Sequence, residues 1–185
     1  MSGDAGPVHD LHDLAILDAL EAIGAETFAS QVWRVTRKGR DPLRPGAAGG
    51  RWSLPGGFEV LYTSLEKAGA LAEVGFRLSL EPVWPSRLQH EIHALSARLG
   101  RALRLADLGK LQTLGVDTAR YAGFDYAATR AIAAAAHFLE FDGLIVPSAR
   151  HTCLNAVIFP DRLNGNAGIE VETTEAVGWG AWRGR

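Results

Sequence analysis

A long segment rich in glycine and proline, residues 37–57, separates two short runs of β-forming residues, Gln31–Thr36 and Phe58–Thr63. A connection of that length inside a compact domain is normally either functional or disordered. The segment is also basic. Arg34, Arg37, Lys38, Arg40, Arg44 and Arg51 lie in or beside it, and only Asp41 opposes them. Gly46, Gly49 and Gly50 stand just before Arg51. Glycine lets a backbone approach a ligand closely, and guanidinium groups grip phosphate bidentately. An anion site fits this pattern. A solvated basic loop, or one that touches nucleic acid, fits it as well. No G-K-[ST] or G-x-G-x-x-G is present, so this is neither a Walker loop nor a dinucleotide fingerprint.

Composition narrows the setting. The chain has 185 residues, 47% hydrophobic and 22% charged, with a formal net charge of −2. That suits one soluble domain and argues against binding nucleic acid or anionic membrane over the whole surface. The one cysteine, Cys153, permits no intrachain disulfide and no C-x-x-C zinc site. A reducing cytoplasm is the expected compartment. The first residues lack the basic-then-apolar order of a signal peptide, and no run of about eighteen apolar residues suggests a membrane span.

The periodicity predicts a mixed chain. Residues 1–8 are expected to be disordered. A helix is predicted from His9 to Ile23, ended by Gly24. Thr63 and Glu66 have capping-box spacing, with Ser64 as an alternative N-cap, for a helix running to about Leu78. Residues 88–94 alternate as a strand, and short helices are expected in 96–120. Asp125 is placed to cap a helix that Gly143 would stop. LIVP (144–147) and NAVIF (155–159) read as apolar strands around the loop 148–154, and 168–173 as an edge strand. Strands and helices mix without a βαβ rhythm. The expected class is α+β, with mixed, largely antiparallel sheets and flanking helices.

Several side chains suit chemistry. Glu73 lies within ALAEVGF, on a helical face with Leu65, Gly69 and Phe76. A carboxylate on an apolar face needs a partner or a task. Helical geometry leaves open both a partly buried catalytic carboxylate and an exposed Glu73–Arg77 ion pair. Tyr62 is either a core aromatic or part of a site. Trp33 and Trp52 flank basic residues and could stack a base or pack in the core. Ser148 follows Val-Pro at a strand end and lacks a G-x-S-x-G elbow, so a serine hydrolase is disfavoured. His90 and His93 would point to opposite faces of a strand, which rejects a zinc site with Glu91. His137 reads as a surface or packing histidine, and His151 as a loop histidine near the possible site.

In order along the chain, VWRVT (32–36), GGRW (49–52), VLYTS (60–64), ALAEV (70–74), IVPSA (145–149) and NAVIFP (155–160) resemble the RES domain, a family named for its Arg, Glu and Ser. The resemblance spans residues 31–172, leaving 1–30 as an N-terminal extension and helix and 173–185 as a tail. It implies an ADP-ribosyltransferase-like fold and a toxin of a bacterial toxin–antitoxin pair that consumes NAD. By motif position, Arg51, Tyr62 and Glu73 match the family's catalytic groups, and Arg34, Trp52, Ser148 and Asn155 are expected to bind substrate. No metal and no cofactor are implied, with NAD as substrate. A cognate Xre-like helix-turn-helix antitoxin is expected to block the site, and no membrane or direct nucleic-acid contact is expected. The chain departs from the family at Ser53, where Asn is usual after GRW, and at NAVIFPDRL, which leaves the roles of Ser53 and the 151–165 loop open.

Cleavage of the nicotinamide–ribose bond passes through a cation-like sugar that a fixed carboxylate can stabilise. The resemblance gives that task to Glu73, phosphate or ribose oxygens to Arg34 and Arg51, the nicotinamide end to Tyr62, and substrate or an arginine to Ser148. Water as acceptor makes a glycohydrolase, phosphate a phosphorylase, and a protein side chain an ADP-ribosyltransferase. The last is the alternative reading, beside a non-catalytic module that binds nucleic acid or protein.

Overall fold

The fold is that of a computed structural model, which describes residues 12–46 and 48–180. The segment 1–8, the first residues of the first expected helix and the end of the tail lie outside these. The elements are α1 (Leu14–Ile23), β1 (Glu26–Arg37), β2 (Leu61–Ser64), α2 (Lys67–Ser79), β3 (His90–Arg104), α3 (Leu108–Thr113), α4 (Ala127–Phe138), β4 (Gly143–Pro147), β5 (Leu154–Ile158) and β6 (Gly168–Ala176).

The sheet runs in the order β1-β2-β5-β4-β3-β6, with a further pairing of β1 to β3. Five strands therefore close on themselves, and β6 adds to the outer edge of β3. Every pairing is antiparallel except β3 with β4. This is the expected α+β class with largely antiparallel strands. β3 organises the closure because of its length. It pairs with β1 along nearly its whole extent, with β6 over 91–98, and with β4 over 102–104.

The apolar run at β4 has a simple cause. Gly143, Leu144, Ile145 and Val146 are all buried, because both faces of this central strand are covered. Leu144 and Val146 join the core under α1, α3 and α4, with Leu20, Ile132 and Phe159. Ile145 points the other way, into the closed sheet with Val32, Leu61, Leu95 and Ile158. Alternation persists, but with apolar residues on both faces it does not show in the sequence. α1 supplies fully buried Leu20 to the first of these cores, so residues 14–23 pack as part of the fold.

Several local expectations are corrected. Residues 96–104 continue β3 instead of forming short helices. The capping box does not form, since Thr63 Oγ1 donates across the sheet to Ala156 O and α2 begins at Lys67. Ser64 Oγ accepts instead from Glu66 N. The N-cap of α4 is Tyr126, with Asp125 one residue earlier accepting from Ala127 N, and the helix ends at Phe138. Glu140, at φ 61°, makes the reversal, and Gly143 opens β4, where a Cβ would lie 2.5 Å from Val157 O. No helix among the described residues is long and apolar enough to cross a membrane.

Candidate active site

A cavity of about 240 Å³ opens between β1, β2, α2 and the loops that follow Gly46, Gly123 and Pro147. Four arginines line it, Arg34, Arg51, Arg77 and Arg150, and Glu73 is the single carboxylate among its lining residues.

Glu73 stands in the middle of α2 with Ala70, Val74, Phe76 and Arg77 also on the cavity wall. Its Oε1 accepts from Ser148 Oγ at 2.7 Å and from Asn155 Nδ2 at 3.1 Å. It does not pair with Arg77, so the helix-surface ion pair is not formed. The helix can bring this carboxylate so close to β5 because position 69 is glycine. A Cβ there would collide with Ser64 Oγ and Cys153 Sγ. Leu65, expected on the same helical face, precedes the helix.

Ser148 sits just past β4, its own N–H bonded to Cys153 O at 2.9 Å. Its Oγ donates to Glu73 and accepts from Arg150 N at 3.2 Å. Ser148 Oγ therefore holds the carboxylate, where the expectation was a contact to substrate or to an arginine. Asn155 lines the cavity beside it, with Oδ1 buried and without a partner.

Arg34, on β1, is committed to the protein. Its Nη1 donates to Tyr62 O and its Nη2 to Arg44 O, each at 3.0 Å, and its Nε is buried without a partner. Burial, reinforced by Arg40 and Arg77, lowers its pKa to about 10. The guanidinium ties β1 to β2 and to the loop at Arg44, and its position on the wall gives the cavity a fixed positive charge.

The Arg51 guanidinium lies over two rings, 4.6 Å from the centre of Tyr121 and 4.8 Å from that of Tyr126. Aromatic contacts of this kind favour a planar cation. Its Nη2 donates to Gly123 O at 3.1 Å. The turn carrying it is fastened to α4, because Thr129 Oγ1 donates to Arg51 O and Arg130 Nε to Gly50 O. Tyr121 Oη in turn donates to Pro147 O, which places this contact next to Ser148. Burial pushes the Tyr121 phenol up, so it stays a neutral donor.

Tyr62 closes the floor. Its Oη accepts from Trp52 N and lies 3.0 Å from Ser53 Oγ. Burial raises its pKa. Ser53, whose role the sequence left open, is thus the partner of Tyr62. Gly50 permits this closeness, since a Cβ there would lie 2.6 Å from Tyr62 Oη.

The tryptophans contribute less than expected. Trp52 reaches the wall but is only 2% exposed and belongs to the core, so its ring has no free face to offer a base. Trp33 lies outside the cavity under Lys67 Nζ. His90 and His93 also lie outside its lining. His93 bridges Thr36 and Thr174, and His90 accepts from Trp179 Nε1. His137 packs on Phe58 and pairs with Asp161, and exposed His151 is 3.7 Å from Glu66.

Arg150, Tyr121, Phe124 and Tyr126 escaped the sequence reading. The signal available was the aromatic and glycine-containing YAGFDY at 121–126 and the position of Arg150 two residues after Ser148.

A search of curated proteins finds no match. Among solved structures, the fold is similar to a chain of the crystal structure of the M. tuberculosis MbcT–MbcA toxin–antitoxin complex, with a TM-score of 0.82 at 18% identity, covering 94% of this chain and 98% of that one. The family model of the RES domain matches residues 31–179. The chain belongs to the RES domain family.

Proposed function

We propose that this protein is the toxin of a bacterial toxin–antitoxin pair and degrades cytoplasmic NAD by cleaving the nicotinamide–ribose bond, as a glycohydrolase or phosphorylase. The observation that carries the reading is Glu73, a carboxylate fixed by Ser148 and Asn155 in a cavity otherwise lined by arginines.

Oε1 of Glu73 is held by two donors, which leaves Oε2 to face a ribose hydroxyl and the positive charge that develops at the anomeric carbon. A preoriented carboxylate of this kind stabilises the cation-like sugar without reorganising during the reaction. Nicotinamide departs as a neutral molecule, so no strong acid is required, and none is present in the lining. The arginines suit the dinucleotide's pyrophosphate. Tyr62, a neutral phenol on the floor, suits the nicotinamide end. No cofactor or metal enters this reaction.

The structural relative was solved with an antitoxin, and membership of the RES family favours the same arrangement here. The partner of this chain would be an Xre-like helix-turn-helix protein that blocks the cavity. Phe124, 63% exposed and on the cavity wall, offers it an apolar contact.

The test is incubation of the purified protein with NAD, with and without inorganic phosphate, followed by identification of products. Nicotinamide with ADP-ribose indicates water as acceptor, and nicotinamide with a phosphorylated ADP-ribose indicates phosphate. ADP-ribose attached to protein points to the transferase instead. Intact NAD in every sample removes the reading.

A further inference from the structure

We infer that Arg150 is the residue that recognises the substrate's anionic phosphate group, a role that neither the sequence motifs nor the family resemblance gives it. The inference rests on the proposed NAD reading for the identity of the substrate, but not for the chemistry of the site.

The arginines of the cavity differ in which donors are free. Nη1 and Nη2 of Arg34 each donate to a backbone carbonyl, which ties its guanidinium to the main chain. Nη2 of Arg51 likewise donates to a main-chain carbonyl, Gly123 O. The guanidinium of Arg150 donates to no group among the described residues. It is nevertheless placed, lying 3.5 Å from the centre of the Phe76 ring and 5.7 Å from that of Phe124. Stacking on an aromatic face orients the planar group while leaving its N–H edge open, which is the geometry bidentate phosphate recognition needs.

Its register with the reacting centre is also set. Arg150 N–H donates to the same Ser148 Oγ that holds Glu73, so one hydroxyl spaces the cation from the carboxylate. Arg77 lines the same wall but is exposed and stacks on no ring among the described residues. Burial lowers the pKa of Arg150 while Glu73 raises it and Arg51 and Arg77 lower it. The four groups therefore share one electrostatic environment with an excess of positive charge. A phosphoanhydride or phosphate ester meets that excess, and a neutral nucleoside does not.

The experiment uses inorganic pyrophosphate as the binding probe and NAD as the substrate, on the full chain. Wild-type protein is expected to bind pyrophosphate by calorimetry, and Arg150→Met, whose side chain still covers Phe76, to bind it at least tenfold more weakly. The same variant should raise KM for NAD at least tenfold with kcat within threefold of wild type. Arg150→Lys keeps the charge without the planar fork and should fall between the two, which also covers the case in which the methionine variant folds poorly. Equal pyrophosphate binding by wild type and both variants, or no binding by wild type, overturns the inference. A KM unchanged in both variants does the same. Failure of the NAD reading looks different: NAD stays intact while pyrophosphate still binds and the variants still lose it.

Discussion

Ser148 Oγ donates to Glu73 Oε1 at 2.7 Å, joining the end of β4 to the middle of α2 across 75 residues of chain. The same hydroxyl accepts the N–H of Arg150. Hydrogen bonds to charged groups contribute about 1.5–3 kcal/mol. Ser148→Ala is accordingly expected to lower kcat for NAD cleavage by roughly 10- to 100-fold. Because the lost contact is to the carboxylate, KM should change little. Steady-state kinetics check this, and a variant with unaltered kcat removes the positioning role.

Tyr62 is held between Trp52 N and Ser53 Oγ. Tyr62→Phe leaves the Trp52 N–H at a buried position without its acceptor. The cost of such an orphaned donor is about 1–3 kcal/mol. The urea midpoint should fall by the corresponding amount, and Ser53→Ala, which removes only one of the two bonds, should cost less. The reverse order contradicts the assignment.

Two glycines are required by close approach. Gly69→Ala brings a methyl against Ser64 Oγ and Cys153 Sγ, and Gly50→Ala brings one against Tyr62 Oη. Overpacking of this kind costs about 1–3 kcal/mol. Gly168, at the start of β6, has nothing within 4 Å of an added Cβ, so Gly168→Ala should be within about 0.5 kcal/mol of wild type. Thermal melts of the three variants test the contrast.

The histidines of β3 are expected to make stability fall in mild acid. Burial, with Arg34 adding to it, lowers the pKa of His93, and burial with Arg37 lowers that of His90. The unfolded chain then binds protons more readily than the folded one, so stability rises with pH across this window. The contribution is present above the unfolded value near 6.5 and is lost as pH drops below it. His93 accepts or donates at both nitrogens between Thr36 and Thr174, and His90 Nδ1 must stay unprotonated to accept from Trp179. The urea midpoint should decrease from pH 7 to pH 5, and His93→Gln should flatten that decrease. A profile as steep in the variant as in wild type shows that other groups govern it.

The elements with local signals were legible in the chain. The part of β1 at 31–36, the start of α4 just after Asp125 and the two apolar strands β4 and β5 all carry their pattern within a few residues. Residues 96–104 did not, because SARLGRALR is made largely of good helix formers. Pairing with β1, β6 and β4 overrides that propensity. The capping box failed for a related reason: the Thr63 hydroxyl found a carbonyl on β5, a partner that sequence spacing does not reveal. In the site, the ordered motifs brought out Arg51, Tyr62, Glu73, Ser148 and Asn155, but not what each does. That Ser148 and Asn155 serve Glu73, and that Arg34 serves the backbone, depends on contacts between residues far apart in the chain. Tyr121, Tyr126 and Arg150 matter because loops carry them to the same wall, which no local pattern encodes.

The most direct measurement is nicotinamide release from NAD by wild-type protein and by Glu73→Gln, assayed at equal concentration of folded protein. Replacing the carboxylate keeps the shape and a hydrogen-bonding oxygen but removes the charge that stabilises the cation-like sugar. Wild type is expected to release nicotinamide and the variant to do so at least 100-fold more slowly, in line with the roughly 10²–10³ lost when one electrostatic stabiliser is removed. Equal rates for the two proteins, or no release by wild type, would contradict the account.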